Sequence, residues 1–153
     1  MAITTPTSAP TTTTAPAEVV RTFLLALQAG DLDSALELLA EDVRYINVSL
    51  PPVRGRGRVE RLFRSVYARG GRFRVHFHGI AADGDVVLTD RTDEVGIGRF
   101  EQRLWVYGRF IVKDGKITVW RDSFDWLDVT RSALRGLIAI AIPALNRPWP
   151  GGQ

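Results

Sequence analysis

The chain has 153 residues, 45% of them hydrophobic and 24% charged, which fits one globular domain and excludes a disordered chain, a collagen or a coiled coil. It has no cysteine, so disulfide scaffolds, Cys-ligated zinc, iron–sulfur clusters and thiol catalysis are excluded. A net charge of +3, carried almost wholly by arginine, is too small and too spread for a nucleic-acid-binding face.

Residues 1–15 are Thr-, Pro- and Ala-rich without a charge and read as a flexible arm. A single domain is expected over 16–145, with 146–153 as a tail. Pro16 suits a first helical position, and Val19, Val20, Phe23, Leu24 and Leu27 recur at helical spacing up to Gly30. Asp31 or Asp33 can cap a second short helix carrying Leu36 and Leu39. Val43–Val48 reads as a strand, Pro51 to Gly57 as a loop, and Val59–Tyr67 as a helix with Val59, Leu62, Phe63 and Val66 on one side. Beyond Gly71 the period becomes two. Strands are predicted at Phe73–Ile80, Val86–Val95, Phe100–Val112 and Lys116–Phe124, with turns at Asp83-Gly84 and Asp114-Gly115. A last helix is predicted from Asp128 to Ile142. Helices followed by strands on short turns predict an α+β fold. The helices would pack on the concave face of a curved mixed or antiparallel sheet, around an apolar pocket.

The informative residues are polar ones on an apolar face. Along Val86–Val95, alternation puts Val87, Thr89, Arg91, Asp93 and Val95 on one face, and Asp90, Thr92 and Glu94 on a solvated one. Asp122 likewise shares a face with Trp120 and Phe124, where a carboxylate is costly unless paired, and Arg91 is the obvious partner. Val43, Tyr45 and Asn47 share a third face, on which a phenol and an amide could orient a water. The same pattern also suits a purely structural ion pair, with Tyr45 and Asn47 on a rim.

Other signals carry less. His76 and His78 share a strand face, but no third ligand is apparent and no metal site is expected. Eight arginines between Arg54 and Arg74, with few aromatics among them, read as a solvated face rather than a nucleic-acid groove. The longest apolar run, Leu137 to Ile142, is far too short to span a membrane. With no basic-then-apolar leader at the N-terminus, a cytoplasmic location is expected.

Three motifs carry a family resemblance: Tyr45-Ile46-Asn47 followed by Leu50-Pro51-Pro52, then Thr89-Asp90-Arg91-Thr92-Asp93, then Trp120-Arg121-Asp122-Ser123-Phe124-Asp125. In order and spacing they resemble the limonene-1,2-epoxide hydrolase family, over about Glu18 to Leu137. That family's fold is similar to the cone of nuclear transport factor 2 and ketosteroid isomerase. Ser123 departs from the family pattern, which has Tyr there, but it alternates away from Asp122.

The resemblance implies one-step, cofactor-free addition of water to an apolar epoxide, giving a vicinal diol without a covalent intermediate. Asp122 would be the general base and Asp93 the general acid. Arg91 would bridge the two carboxylates, and Tyr45 and Asn47 would position the water. Leu27, Leu104, Val106, Trp120 and Phe124 match the family's pocket lining, with Leu24 a further candidate. Plain core packing accounts for those apolar residues equally well. The resemblance also implies a homodimer. The alternatives on the same fold are a ketosteroid-isomerase-like or polyketide-cyclase-like enzyme, or a lipid-binding module.

Overall fold

A computed structural model describes residues 15–146 and 148–150. The helical periodicity near the N-terminus forms α1 (Pro16–Ala29), with Pro16 at its start and Gly30 closing it in the left-handed conformation at φ 75°. Asp31, rather than Asp33, caps α2 (Leu32–Glu37) by accepting from the Ser34 backbone N–H at 3.1 Å. The helix stops before Leu39, which instead opens β1 (Leu39–Asn47).

The loop expected after Leu50 contains a two-residue strand, β2 (Val53–Arg54), paired antiparallel to β1. Then come α3 (Arg56–Ala68), β3 (Gly71–Asp83), β4 (Val86–Ile97), β5 (Phe100–Lys113), β6 (Lys116–Ser123) and α4 (Trp126–Ala139), with a single 3₁₀ turn at Pro143–Leu145. The fourth helix starts earlier than its apolar spacing suggests. Asp125 caps it, accepting from the Leu127 N–H at 2.7 Å.

The sheet order is β2-β1-β6-β5-β4-β3. β3 to β6 form an antiparallel meander, whereas β1 runs parallel to β6, so the sheet is mixed. Register shifts at Phe77/Gly79, Leu39/Arg44 and Ile111/Val112 are the irregularities at which such long strands bend. The bent sheet wraps α1, whose Val20, Phe23 and Leu24 are fully buried against Val87, Phe110, Ile117 and Trp120. This is the expected α+β cone.

One face assignment is corrected. Glu94 does not lie on a solvated surface: it is buried, because Arg74 and Arg103 close over its carboxylate from the neighbouring strands. The rest of that outer face stays open, with Leu88, Trp105 and Tyr107 exposed. α4 approaches β5 through small residues, Ser132, Gly136 and Ala139, and leaves Leu134, Leu137 and Ile138 outward. A Cβ on Gly136 would lie 2.4 Å from the Glu101 carbonyl oxygen, so only glycine permits that approach.

Phe23 meets the Trp120 ring edge-on at 4.9 Å. Phe23→Ala is expected to cost about 3–5 kcal/mol of folding stability in a denaturant titration. A loss below about 1 kcal/mol, no more than one buried methylene is worth, would show that α1 does not hold the core together.

Candidate active site

The site forms where three strands bring polar side chains onto the helix-covered face. Arg91 on β4 is fully buried, at 0% exposure, and Asp93 and Asp122 are buried beside it. Its Nε donates to both oxygens of Asp93, at 2.9 and 3.1 Å. One terminal nitrogen, Nη2, donates to Asp122 Oδ1 on β6 at 2.6 Å, and the other, Nη1, donates to Thr89 Oγ1 at 2.8 Å. The second oxygen of Asp122 accepts from the Trp120 indole N–H at 2.8 Å. Among the described residues, every buried side-chain nitrogen or oxygen has a partner.

Parallel pairing of β1 with β6 completes the group. Tyr45 lies opposite Trp120 in register, and Asn47 opposite Asp122. The Tyr45 hydroxyl donates to Asn47 Oδ1 at 3.3 Å, and its ring lies 4.0 Å from that of Trp120. The five polar residues singled out in the sequence thus converge from β1, β4 and β6. Four of them, Tyr45, Asn47, Asp93 and Asp122, line one cavity of about 150 Å³. Arg91, fully buried, does not itself line it.

The remaining wall is apolar. All five expected lining residues, Leu27, Leu104, Val106, Trp120 and Phe124, are there. Leu24 is not: it is fully buried in the core cluster. Phe63, Phe73 and Val95 also line the cavity and were not anticipated. Phe63 and Val95 were on the right faces of their elements, but nothing in the sequence brings α3 and β4 to one cavity. No residue of α4 lines this cavity, so the terminal helix does not close it.

Burial, offset by Arg91 and reinforced by the charge of Asp122, pushes the Asp93 carboxyl up to about 6. Burial alone would loosen the hold of Arg91 on its proton, but Asp122 and Asp93 together hold it more firmly protonated than a free guanidinium. Burial, with Asp122 nearby, raises the Tyr45 phenol well above its ordinary range, so it stays protonated as a hydrogen-bond donor. A carboxyl raised to about 6, a second carboxyl hydrogen-bonded on both oxygens and a phenol–amide pair around an apolar hole can move protons onto and off a neutral organic substrate. Among the described residues, no group of three or more His, Cys, Asp or Glu side chains could hold a metal ion.

These groups lie together inside an α+β cone, and comparison with known proteins identifies its class. The family model for the limonene-1,2-epoxide hydrolase catalytic domain matches residues 14–135. The epoxide hydrolase EphG of Mycobacterium tuberculosis is 45% identical over 127 residues, covering 83% of this chain and 85% of that protein. The solved structure of an M. tuberculosis LEH-like epoxide hydrolase superimposes with a TM-score of 0.84 at 42% identity, over 90% of this chain and 97% of that one. A putative polyketide cyclase from Xanthomonas campestris matches at 20% identity and a TM-score of 0.66, over 77% of this chain and 96% of that one, a likeness of fold alone. The chain belongs to the limonene-1,2-epoxide hydrolase family and is an enzyme of the epoxide hydrolase type.

Folded Asp93 keeps its proton up to about pH 6, whereas an unperturbed carboxyl loses it near 3.8. Folding therefore takes up a proton between these values, so this group favours the fold most at the acid end and its contribution is lost as pH rises through about 6. Asp93→Asn is expected to flatten the decline of Tm with pH across that window. Parallel Tm–pH curves for parent and variant would show that Asp93 is not the titrating group.

Proposed function

We propose that this enzyme adds water to an apolar epoxide in one step, giving a vicinal diol. The observation that carries the reading is a fully buried guanidinium joining two carboxyls that line an apolar cavity. Asp122 acts as general base. It takes a proton from a water positioned by the Tyr45 hydroxyl and the Asn47 amide as the water oxygen attacks a ring carbon. The carbon–oxygen bond of the epoxide breaks, and Asp93, as general acid, gives its proton to the departing oxygen. The substrate gains one oxygen and two hydrogens, all from water once Asp122 has lost its proton and Asp93 has regained one. Two neighbouring carboxyls do not both ionise readily, so the pair begins the cycle with one proton between them and Arg91 compensating the remaining charge. Each positioned acid or base contributes roughly 10²–10⁴-fold. Ring strain supplies much of the remaining drive, so the proposal needs no cofactor.

The apolar wall supports a hydrocarbon-like substrate, presented with its epoxide over Asp93 and Asp122. A cavity of about 150 Å³ favours a compact cyclic epoxide such as a monoterpene oxide over a steroid or fatty-acid epoxide. We also propose a homodimer, supported by the exposed Leu88, Trp105 and Tyr107 on the outer sheet face and the exposed apolar side of α4. A catalytic unit over residues 16–145 and a cytoplasmic location belong to the same reading. The location is consistent with no helix among the described residues being long and apolar enough to cross a membrane.

The test is diol formation from limonene-1,2-epoxide and from a bulkier steroid epoxide, followed by chiral chromatography. The parent is expected to favour the smaller substrate. Asp122→Asn keeps an oxygen for Arg91 and is expected to fold while losing at least ~10²-fold in turnover. Unchanged turnover in that variant would overturn the base assignment. A single turnover in isotopically heavy water is expected to place the label in the first diol released. Unlabelled first-turnover diol would instead mean that an enzyme carboxylate attacks the ring. A solution mass equal to the 17.0 kDa monomer would overturn the dimer.

A further inference from the structure

Arg91 has a partner that this reaction does not use. Nη1 donates to Thr89 Oγ1 at 2.8 Å, where Thr89 is 3% exposed. Thr89, Asp93 and Asp122 therefore occupy three sides of one planar guanidinium. The Arg91 side chain starts on β4 and crosses β5 to reach β6, and β5 offers a gap at the crossing point. Gly108 is paired in register with Thr89 on one side and Asp122 on the other. A Cβ there would lie 2.2 Å from Arg91 Nη1 and 2.4 Å from Thr89 Oγ1. The missing side chain is the space in which the guanidinium and the threonine hydroxyl meet.

The consequence lies at Asp122. A guanidinium beside a carboxylate commonly engages both carboxylate oxygens through two parallel N–H bonds. Here Nη1 is held by Thr89, only Nη2 reaches Asp122, and Oδ2 accepts nothing from the guanidinium. Oδ2 keeps its bond from Trp120 and the lone-pair capacity to take a proton.

We propose that Thr89, set against the gap at Gly108, is a positioning residue for epoxide opening: its hydroxyl turns the Arg91 guanidinium so that Asp122 is held through one oxygen and stays free to act through the other. The inference rests on Asp122 being the base. Thr89 does not line the cavity, so its effect falls on turnover rather than on substrate binding.

Thr89→Val keeps the branched shape and removes the acceptor. The freed Nη1 is then expected to turn to Asp122 Oδ2, so that the guanidinium engages both oxygens of that carboxylate. With limonene-1,2-epoxide as probe, kcat is expected to fall on the order of 10- to 100-fold, what a hydrogen bond to a charged group is worth, with KM little changed. Thr89→Ser restores the hydroxyl without the methyl and is expected to recover most of kcat. If the valine variant does not fold, Thr89→Cys, whose thiol is a poor acceptor, is measured in its place.

Parental kcat in Thr89→Val, a change confined to KM, or a serine variant as slow as the valine one would each overturn the proposal. Asp122→Asn runs alongside as control. If it is inactive while Thr89→Val matches the parent, only the role of Thr89 fails. If it stays active, the base assignment fails, and the role of Thr89 with it.

Discussion

A fully buried guanidinium is the constraint on which the rest of this structure depends. Taking such a charge out of water costs several kcal/mol unless it is paired and its N–H groups are satisfied. Arg91 meets that requirement with two carboxyls and a hydroxyl drawn from β4 and β6, and with a glycine on the strand between them. Each partner has to lie on the helix-covered face at its register position. A one-residue slip of β4 or β6 would turn its members of the set to the opposite face and leave the charge uncompensated. The register of the central sheet and the integrity of the proposed catalytic group are therefore the same requirement.

The same constraint makes two chemically identical side chains unequal. Asp93 meets the guanidinium through Nε alone, and burial raises its carboxyl to about 6, towards the protonated form an acid needs. Asp122 instead receives one bond on each oxygen, from Arg91 and from Trp120. Trp120 thereby serves two ends: its ring packs against Phe23 and Tyr45 in the core, and its N–H orients the proposed base. Hydrophobic packing and proton chemistry meet in this one side chain, and a loss of packing around it would be felt at the site.

The cone itself does not fix the reaction. Proteins described as a putative polyketide cyclase and a putative ketosteroid isomerase share it at 20% and 22% identity, which speaks to fold alone. The reading of this chain rests instead on the polar residues its cone encloses and the apolar wall around them. A lone base, as proton-shuffling isomerisation requires, differs from the two carboxyls bridged by arginine seen here.

Much of this was legible in the sequence because strands alternate. Period two placed Arg91 and Asp93 on the face of Val87, Asp122 on the face of Trp120, and Tyr45 with Asn47, and all of them lie on the buried side. Alternation failed at Glu94, since a strand pattern shows which way a side chain points but not that Arg74 and Arg103 will cover it. It was silent on Gly108, whose importance is an absence of atoms beside a side chain from another strand. It also gave no sign that β1 pairs parallel to β6, the pairing that sets Tyr45 and Asn47 beside Trp120 and Asp122. The sequence by itself thus determined which residues are polar on apolar faces, a property of local chain geometry. Only the tertiary structure decided which of them meet, because β1 and β6 stand far apart along the chain and sheet register alone brings them together.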